Sequence, residues 1–452
     1  MKEKIEALWQ RFKKNEFWSS VAKLSAGQII AQAITLAATL VLSRIYTDSD
    51  YGNFGIITST AAIIISMLNL ALGSAVMVAR TDEDSRRVLT VTFLVQTVLL
   101  TVVILGMLAL SPVKKFFDIK SIPYAVALMI MAAYAAVSSL CSLVTVYINR
   151  LKLNNVLFWN SLITAGCTVF ISIPLGFLKF GFIGLVSSAI IGTLLSIIQM
   201  MRASFPFTKI KSFGEIQKTF VECRNFIFFQ YPSNVMGTVS NNMPNQTLYN
   251  IYGDSALGTY AMCNKVFHMP LNLIITPIQT VYFRKAAEIK DSTKELSDFT
   301  FGFIKKFMLL ALIPAILVMS FGDSIFGFVL GQQWRESGLI AAIMCPYFFF
   351  YFCNSCLAYL RVSIGKQKIN LVMTVVQLLS ALLSLLLVMV LPEKLILSVA
   401  IFAVVNTVFN IVDVMIMFVC MKKNTTKYIL YSIGFVSVSV GVSLLIRALL
   451  KL

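Results

Sequence analysis

Charge is scarce in this chain. Of its 452 residues only 13% are charged, about half the ~25% usual for a soluble globular protein. There is one histidine, and none of the H-E-x-x-H, G-x-S-x-G or G-x-x-x-x-G-K-[ST] patterns occurs. No polar stretch is long enough to form a domain: the longest segments between apolar runs are about 202–225, 284–306 and 322–338. Together these absences exclude a disordered tail, a nucleic-acid module and an ordinary cytosolic enzyme. They also argue against membrane glycosyltransferases, polymerases and ligases, which need a catalytic surface outside the bilayer. The eight cysteines give no oxidising framework. Seven fall in apolar runs, Cys223 falls in a basic loop, and Cys353-x-x-Cys356 has no second pair or neighbouring histidine to make a metal site.

What the chain has in abundance is hydrophobic length. Fifty-eight per cent of residues are hydrophobic and the mean hydropathy is +0.83. A bilayer-spanning helix takes about 20 apolar residues, and runs of that kind are predicted near 20–43, 53–79, 88–110, 123–147, 155–177, 181–201, 226–250, 260–283, 307–321, 339–360, 369–391, 395–420 and 428–450. The ninth is short and the seventh unusually polar. The expected fold is an all-α polytopic membrane protein. Its expected parts are an amphipathic cytoplasmic tail (1–19), an N-terminal six-helix bundle (20–201), a cytoplasmic linker (202–225), a C-terminal six-helix bundle (226–421) and an extra span (428–450). No secretory signal is evident: the first apolar run is too long for an h-region and lacks an A-x-A site.

The net charge of +18 looks like a nucleic-acid signal until it is mapped. With the N-terminus placed in the cytoplasm, most Lys and Arg fall on the cytoplasmic loops and little net charge is left outside, which is the positive-inside pattern. No polyanion partner is needed. In the tail, Ile5, Leu8, Trp9 and Phe12 make one apolar face between Lys2, Lys4, Arg11, Lys13 and Lys14, the pattern of a helix lying on the inner leaflet.

The chain is internally duplicated. LSRIYTDSDYGNFGI (42–56) aligns without gaps to LYNIYGDSALGTYAM (248–262), pairing Leu42, Ile45, Tyr46, Asp48, Ser49 and Gly52 with Leu248, Ile251, Tyr252, Asp254, Ser255 and Gly258. Both copies are expected in the outer loop after the first span of their half. An interval of six spans preserves orientation, so the repeats are parallel. The same offset carries a polar stripe. Gln28, Gln32, Thr35 and Thr39 stand opposite Asn234, Thr238, Asn241 and Asn245, with Asn242, Gln246 and Pro244 added in the second copy. Unpartnered amides in hydrocarbon cost on the order of a few kcal/mol each, so these faces either line a shared aqueous cavity or hydrogen-bond between helices.

Few ionisable residues lie at membrane depth. Lys23 either snorkels to the headgroups or contacts a ligand. Lys265 has polar neighbours in Asn264 and His268, which suits a residue that contacts an anion. His268 is a structural histidine or a protonation switch. Asp413 follows Asn406 and Asn410 on one face and is either an ion-coupling site or half of a structural pair. Arg80 stands where it could guard a cytoplasmic opening. Seven prolines within spans (Pro174, Pro232, Pro244, Pro270, Pro277, Pro314, Pro346) suit helices that bend.

Ser25-Ala-Gly-Gln28, followed by the 42–54 motif, resembles the opening of Wzx-type O-antigen and polysaccharide flippases of the multidrug/oligosaccharidyl-lipid/polysaccharide exporter superfamily. Leu72-Gly-Ser-Ala75, Gly258-Thr-Tyr-Ala-Met-Cys-Asn-Lys265 with Pro270, and Gly331-Gln-Gln-Trp334-Arg-Glu-Ser-Gly338 are similar in style. The resemblance implies a core of two six-helix bundles in a V like that of the multidrug exporters, to which 428–450 adds a thirteenth helix. It implies alternating access that carries undecaprenyl-pyrophosphate-linked oligosaccharide from the cytoplasmic to the outer leaflet of the bacterial inner membrane. It further implies membrane lipid as a partner, with a polysaccharide polymerase and chain-length regulator as further candidates. Gln28, Gln32, Thr35, Asn234, Asn241, Asn242 and Asn245 would meet sugar hydroxyls, and Lys23 and Lys265 the pyrophosphate. Arg80, His268 and Asp413 are the gating or ion-coupling candidates. No catalytic residue, metal or cofactor is implied, with H⁺ or Na⁺ coupling left open. This sequence departs from the pattern in having few buried cations and a thirteenth span. An ion-coupled drug exporter of the same superfamily is the alternative, and a lipid II flippase is a further one.

Overall fold

The computed structural model describes residues 16–79, 81–109, 119, 121–210, 213–224, 226–289, 292–357, 360–363, 367–390, 394–421 and 425–450. The tail helix expected at the N-terminus and Arg80 fall outside them, and Lys23 is described only as a backbone position in a helix. Among the described residues thirteen helices exceed eighteen residues: α1 Glu16–Ile45, α2 Asp48–Leu68, α3 Asp82–Ala109, α4 Tyr124–Arg150, α5 Asn154–Phe177, α6 Phe182–Ala203, α7 Tyr231–Tyr252, α8 Asp254–Glu288, α9 Thr293–Val329, α10 Arg335–Cys356, α11 Gln367–Val390, α12 Leu395–Cys420 and α13 Thr426–Leu450. Eleven of them are long and apolar enough to cross a membrane. The two that fall short on hydropathy are α7 and α8, where amides, prolines and charged residues interrupt the apolar run. The chain is a multi-pass α-helical membrane protein.

Several boundaries differ from the hydropathy reading, each for a local reason. The ninth helix is the longest at 37 residues, not a short one. Ser292 caps it by accepting from the Glu295 N–H at 3.3 Å, and Glu295 stands three residues on, as in a capping box. Charged residues fill its first turns, so only the middle reads as apolar. The expected second span divides: α2 stops at Leu68, Leu70 and Ala71 take left-handed φ values of 42° and 55°, and a seven-residue helix Leu72–Val78 follows. The stretch expected as a plain linker carries a helix, Phe213–Glu222, and a π turn at Phe226–Gln230. Cys223 between them is buried against Leu72 and Leu89 rather than looped out. Both copies of the duplicated motif lie at tight helix–helix corners, because α2 and α8 begin at Asp48 and Asp254.

The chain packs as two units, residues 1–46 with 57–235, and 47–56 with 236–452. In the first, α1 lies along α5, and α5 along α6. Tyr46 ends α1 fully buried, its hydroxyl donating to the Ser172 carbonyl at 2.7 Å. Leu72, Val76, Val88, Leu89, Val144 and Tyr147 form one core here. In the second unit α9 packs on α10, and α10 on α8 and α12. α13 belongs to this core: Phe435 stacks on Phe349 with ring centroids 4.2 Å apart, and Tyr428 is buried near Phe418.

Candidate functional site

The second unit contains a polar cavity of about 220 Å³. α12 supplies Asn406, Asn410 and Asp413, whose spacing of four and then three residues keeps them on one face. α10 supplies Tyr347, Tyr351 and Asn354, α11 supplies Asn370 and Gln377, and α7 supplies Asn241. Amides and phenols therefore converge from four helices.

Its floor is an ion pair that hydropathy concealed. Arg361, in the short helix Leu360–Ser363, donates through Nη2 to the Asp413 carboxylate. The two residues are only 5% and 4% exposed. Arg361 also donates through Nη1 to Asn370 Oδ1 at 2.8 Å, while its buried Nε has no partner among the described residues. Above the pair, Asn354 donates to Asn410 Oδ1 at 2.9 Å, and Asn410 donates to the Asn406 carbonyl at 2.7 Å. Gln377 donates to Asn241 Oδ1 at 2.9 Å. A charge pair buried this deeply needs further polar partners; among the described residues Asn370 supplies one, and the Arg361 Nε is left open.

The candidates read from the sequence divide around this cavity. Asn241 and Asp413 line it. His268 does not, but its ring meets the edges of Phe348 and Tyr351 at 5.5 and 5.0 Å, one layer behind. Lys265 lies elsewhere, its ammonium 5.0 Å from the centre of the Tyr51 ring, with Trp334 edge-on to the same ring. Asn242 donates to the Thr238 carbonyl of its own helix, Asn245 is half-buried and Asn234 is exposed. In the first unit Gln28 is exposed, and the Gln32 Oε1 is buried without a partner among the described residues. The Thr35 and Thr39 hydroxyls each donate to a carbonyl one turn back on α1, at 2.8 Å. Backbone bonding of this kind satisfies the donors of the two threonines within the helix. Arg361, Asn354, Asn370, Gln377, Tyr347 and Tyr351 are cavity residues that sequence reasoning passed over. Arg361 falls between the runs expected at 339–360 and 369–391, where a basic residue is ordinary. Asn370 and Gln377, seven apart on α11, were the signal that could have been followed.

The duplicated motif forms a second feature of this unit. The starts of α2 and α8 cross in a near-symmetric clasp. Ser49 donates to the Asp254 carboxylate at 2.6 Å, and Ser255 donates reciprocally to Asp48. The Asn53 amide adds a bond to Asp254 at 3.2 Å. Gly52 and Gly258 lie where the backbones touch: a Cβ built on Gly52 would stand 1.8 Å from the Asp254 carbonyl oxygen, and one on Gly258 1.7 Å from that of Asp48. Asp-Ser-x-x-Gly recurs because each copy supplies half of one crossing.

The chain thus joins a multi-pass long-helix fold and an internal duplication to a polar, charged cavity. The polysaccharide biosynthesis protein family matches residues 41–339, and the chain belongs to that family. No curated protein sequence matches it. Among solved structures it is similar to the lipid II flippase MurJ in an inward closed conformation, with a TM-score of 0.69 and 11% identity over 94% of this chain and 98% of that one. It is also similar to an inward-facing multidrug resistance transporter of the MATE family, with a TM-score of 0.62 and 15% identity over 90% and 99%. A transporter of the same superfamily from Pyrococcus furiosus matches with a TM-score of 0.53 and 13% identity over 90% and 96%. The resemblance read from the sequence is borne out as membership of the polysaccharide biosynthesis family, and the all-helical fold is borne out as well.

Proposed function

We propose that the protein carries an undecaprenyl-pyrophosphate-linked oligosaccharide from the cytoplasmic to the outer leaflet of a bacterial inner membrane, its N-terminus in the cytoplasm, by alternating access. The observation that carries this reading is the amide- and tyrosine-lined cavity around Arg361 and Asp413. Amide and phenol groups match the mixed donor and acceptor pattern of sugar hydroxyls. A guanidinium with one N–H unengaged suits a phosphate oxygen, since planar N–H groups pair well with such oxygens. The isoprenoid tail can stay in lipid throughout. Binding has to favour different conformations at different stages, because equal affinity for both shifts nothing. The basic loops set the orientation by the positive-inside rule. In this role the protein works ahead of a polysaccharide polymerase and a chain-length regulator, with H⁺ or Na⁺ as the driving ion.

The test is flipping in proteoliposomes. A labelled undecaprenyl-pyrophosphate oligosaccharide is scored by its accessibility to a glycosidase outside the vesicle, with and without a Na⁺ or H⁺ gradient. Wild type is expected to accelerate exposure. Asn410→Ala and Gln377→Ala, which each remove one amide from the cavity, are expected to slow it about tenfold, as for the loss of one good hydrogen bond to a charged or desolvated group. Export of a cationic dye by wild type, with no flipping of the glycolipid, would replace this reading with ion-coupled drug export.

A further inference from the structure

The second unit has an apolar groove of about 610 Å³ between α10, α12 and α13. Ile343 of α10, Val404 and Val408 of α12, and Ile433 and Leu444 of α13 line it. Val404, Val408, Ile433 and Leu444 are each more than half exposed, so the groove is open along its side. On α13 its lining runs from Ser432 to Arg447, about 22 Å at 1.5 Å per residue. That exceeds the thickness of one leaflet of a ~30 Å hydrocarbon core. A cavity of this kind does not hold water, and in a bilayer a hydrocarbon chain fills it.

The end of the groove at Arg447 is charged. Asp323 takes one guanidinium on each oxygen, Arg447 at 3.1 Å and Arg335 at 3.3 Å. Arg447 also donates through Nε to the Ser320 carbonyl at 3.1 Å. Two guanidiniums share one carboxylate, and Glu336 beside Arg335 pairs with neither among the described residues. The Arg335 side chain is 60% exposed and, among the described residues, is held by long contacts of 3.3 and 3.4 Å, so it can turn to an anion without unpacking the core. A chain-length apolar groove that ends at two guanidiniums is complementary to a lipid with an anionic headgroup.

We propose that this groove binds one anionic phospholipid of the surrounding bilayer, an acyl chain lying along α13 and the phosphate seated on Arg335 and Arg447. An undecaprenyl chain is much longer than the groove, which favours the phospholipid as occupant over the transported lipid. The site is separate from the Arg361–Asp413 cavity and does not depend on the substrate assigned above.

The experiment uses the full chain in detergent, stripped of lipid. It is incubated with equimolar phosphatidylglycerol, phosphatidylcholine of the same acyl chains, and undecaprenyl phosphate, and adducts are read by native mass spectrometry. One phosphatidylglycerol adduct is expected, about tenfold over phosphatidylcholine. Arg335→Gln and Arg447→Gln should each reduce it several-fold, and Val404→Trp, which fills the groove, should abolish it. Equal retention of both phospholipids, preference for undecaprenyl phosphate, or adducts unchanged in the variants would each overturn the proposal. Arg447 also ties α13 to α9, so melting is recorded for every variant. Where Arg447→Gln fails to fold, the exposed Arg335 variant and the groove-filling variant decide.

Discussion

Asp413→Ala should destabilise the protein by about 3–5 kcal/mol, the cost of removing one partner from a buried ion pair. The Arg361–Asp413 double replacement by Met and Leu should recover most of that loss. The reason lies in what each variant leaves behind. With Asp413 gone, the Arg361 guanidinium stays 5% exposed, with Asn370 as its remaining side-chain partner and no counter-charge among the described residues. The double variant leaves no charge to solvate, and a buried pair exchanged for apolar residues of similar size is often neutral or better. Function should separate from stability: the double variant folds but no longer flips, because the cavity has lost its only arginine among the described lining residues. The eight cysteines are free and most are buried, so a thiol-reactive dye reports melting in detergent. Equal loss of stability in the single and double variants would show that the pair specifies the packing of α12 rather than serving the cavity. A neutral Asp413→Ala would mean that the pair contributes little.

Gly52→Ala and Gly258→Ala should be almost as damaging, and here the sign runs against helix propensity. In an exposed helix interior, glycine to alanine stabilises by up to about 1 kcal/mol. At the α2–α8 crossing the added methyl would stand less than 2 Å from a backbone carbonyl oxygen, so a whole helix has to shift. Overpacking costs ~1–3 kcal/mol when side chains can adjust; backbone cannot adjust that way, so the cost should reach the top of that range or pass it. Gly106, also helical, has nothing within 4 Å of the position its Cβ would take, and Gly106→Ala should be neutral or stabilising. Ser49→Ala and Ser255→Ala keep the crossing and lose one hydrogen bond each, about 1 kcal/mol. Melting temperatures of the four variants and Gly106→Ala test the ordering. Tolerance of alanine at both glycines would sink the clasp.

Much of the fold was legible in the chain. The thirteen predicted runs correspond to thirteen long helices, and eleven of these are apolar enough to cross a membrane, because hydropathy over about 20 residues reports on burial in hydrocarbon. Failures came where helix and hydrocarbon part company. α9 continues for several charged turns beyond its apolar middle, and α2 ends at two left-handed residues within an apolar run. In neither place does composition change in step with the backbone. The duplicated motif was legible as a repeat but not as a contact.

The site was less legible. Asp413 and the asparagines before it stood out, since a carboxylate in a span is conspicuous. Arg361 did not, because an arginine between spans is ordinary, and only folding brings it to a carboxylate 52 residues away. The threonines of α1 read as one polar stripe, and their hydroxyls also donate to carbonyls of their own helix, a local choice that periodicity does not reveal. By itself, then, the sequence determined the all-helical membrane fold, the charge bias of the loops, the duplication and the family. Tertiary structure decided which polar groups face each other, because partners are chosen by packing across many residues, while hydropathy and period are properties of neighbours along the chain.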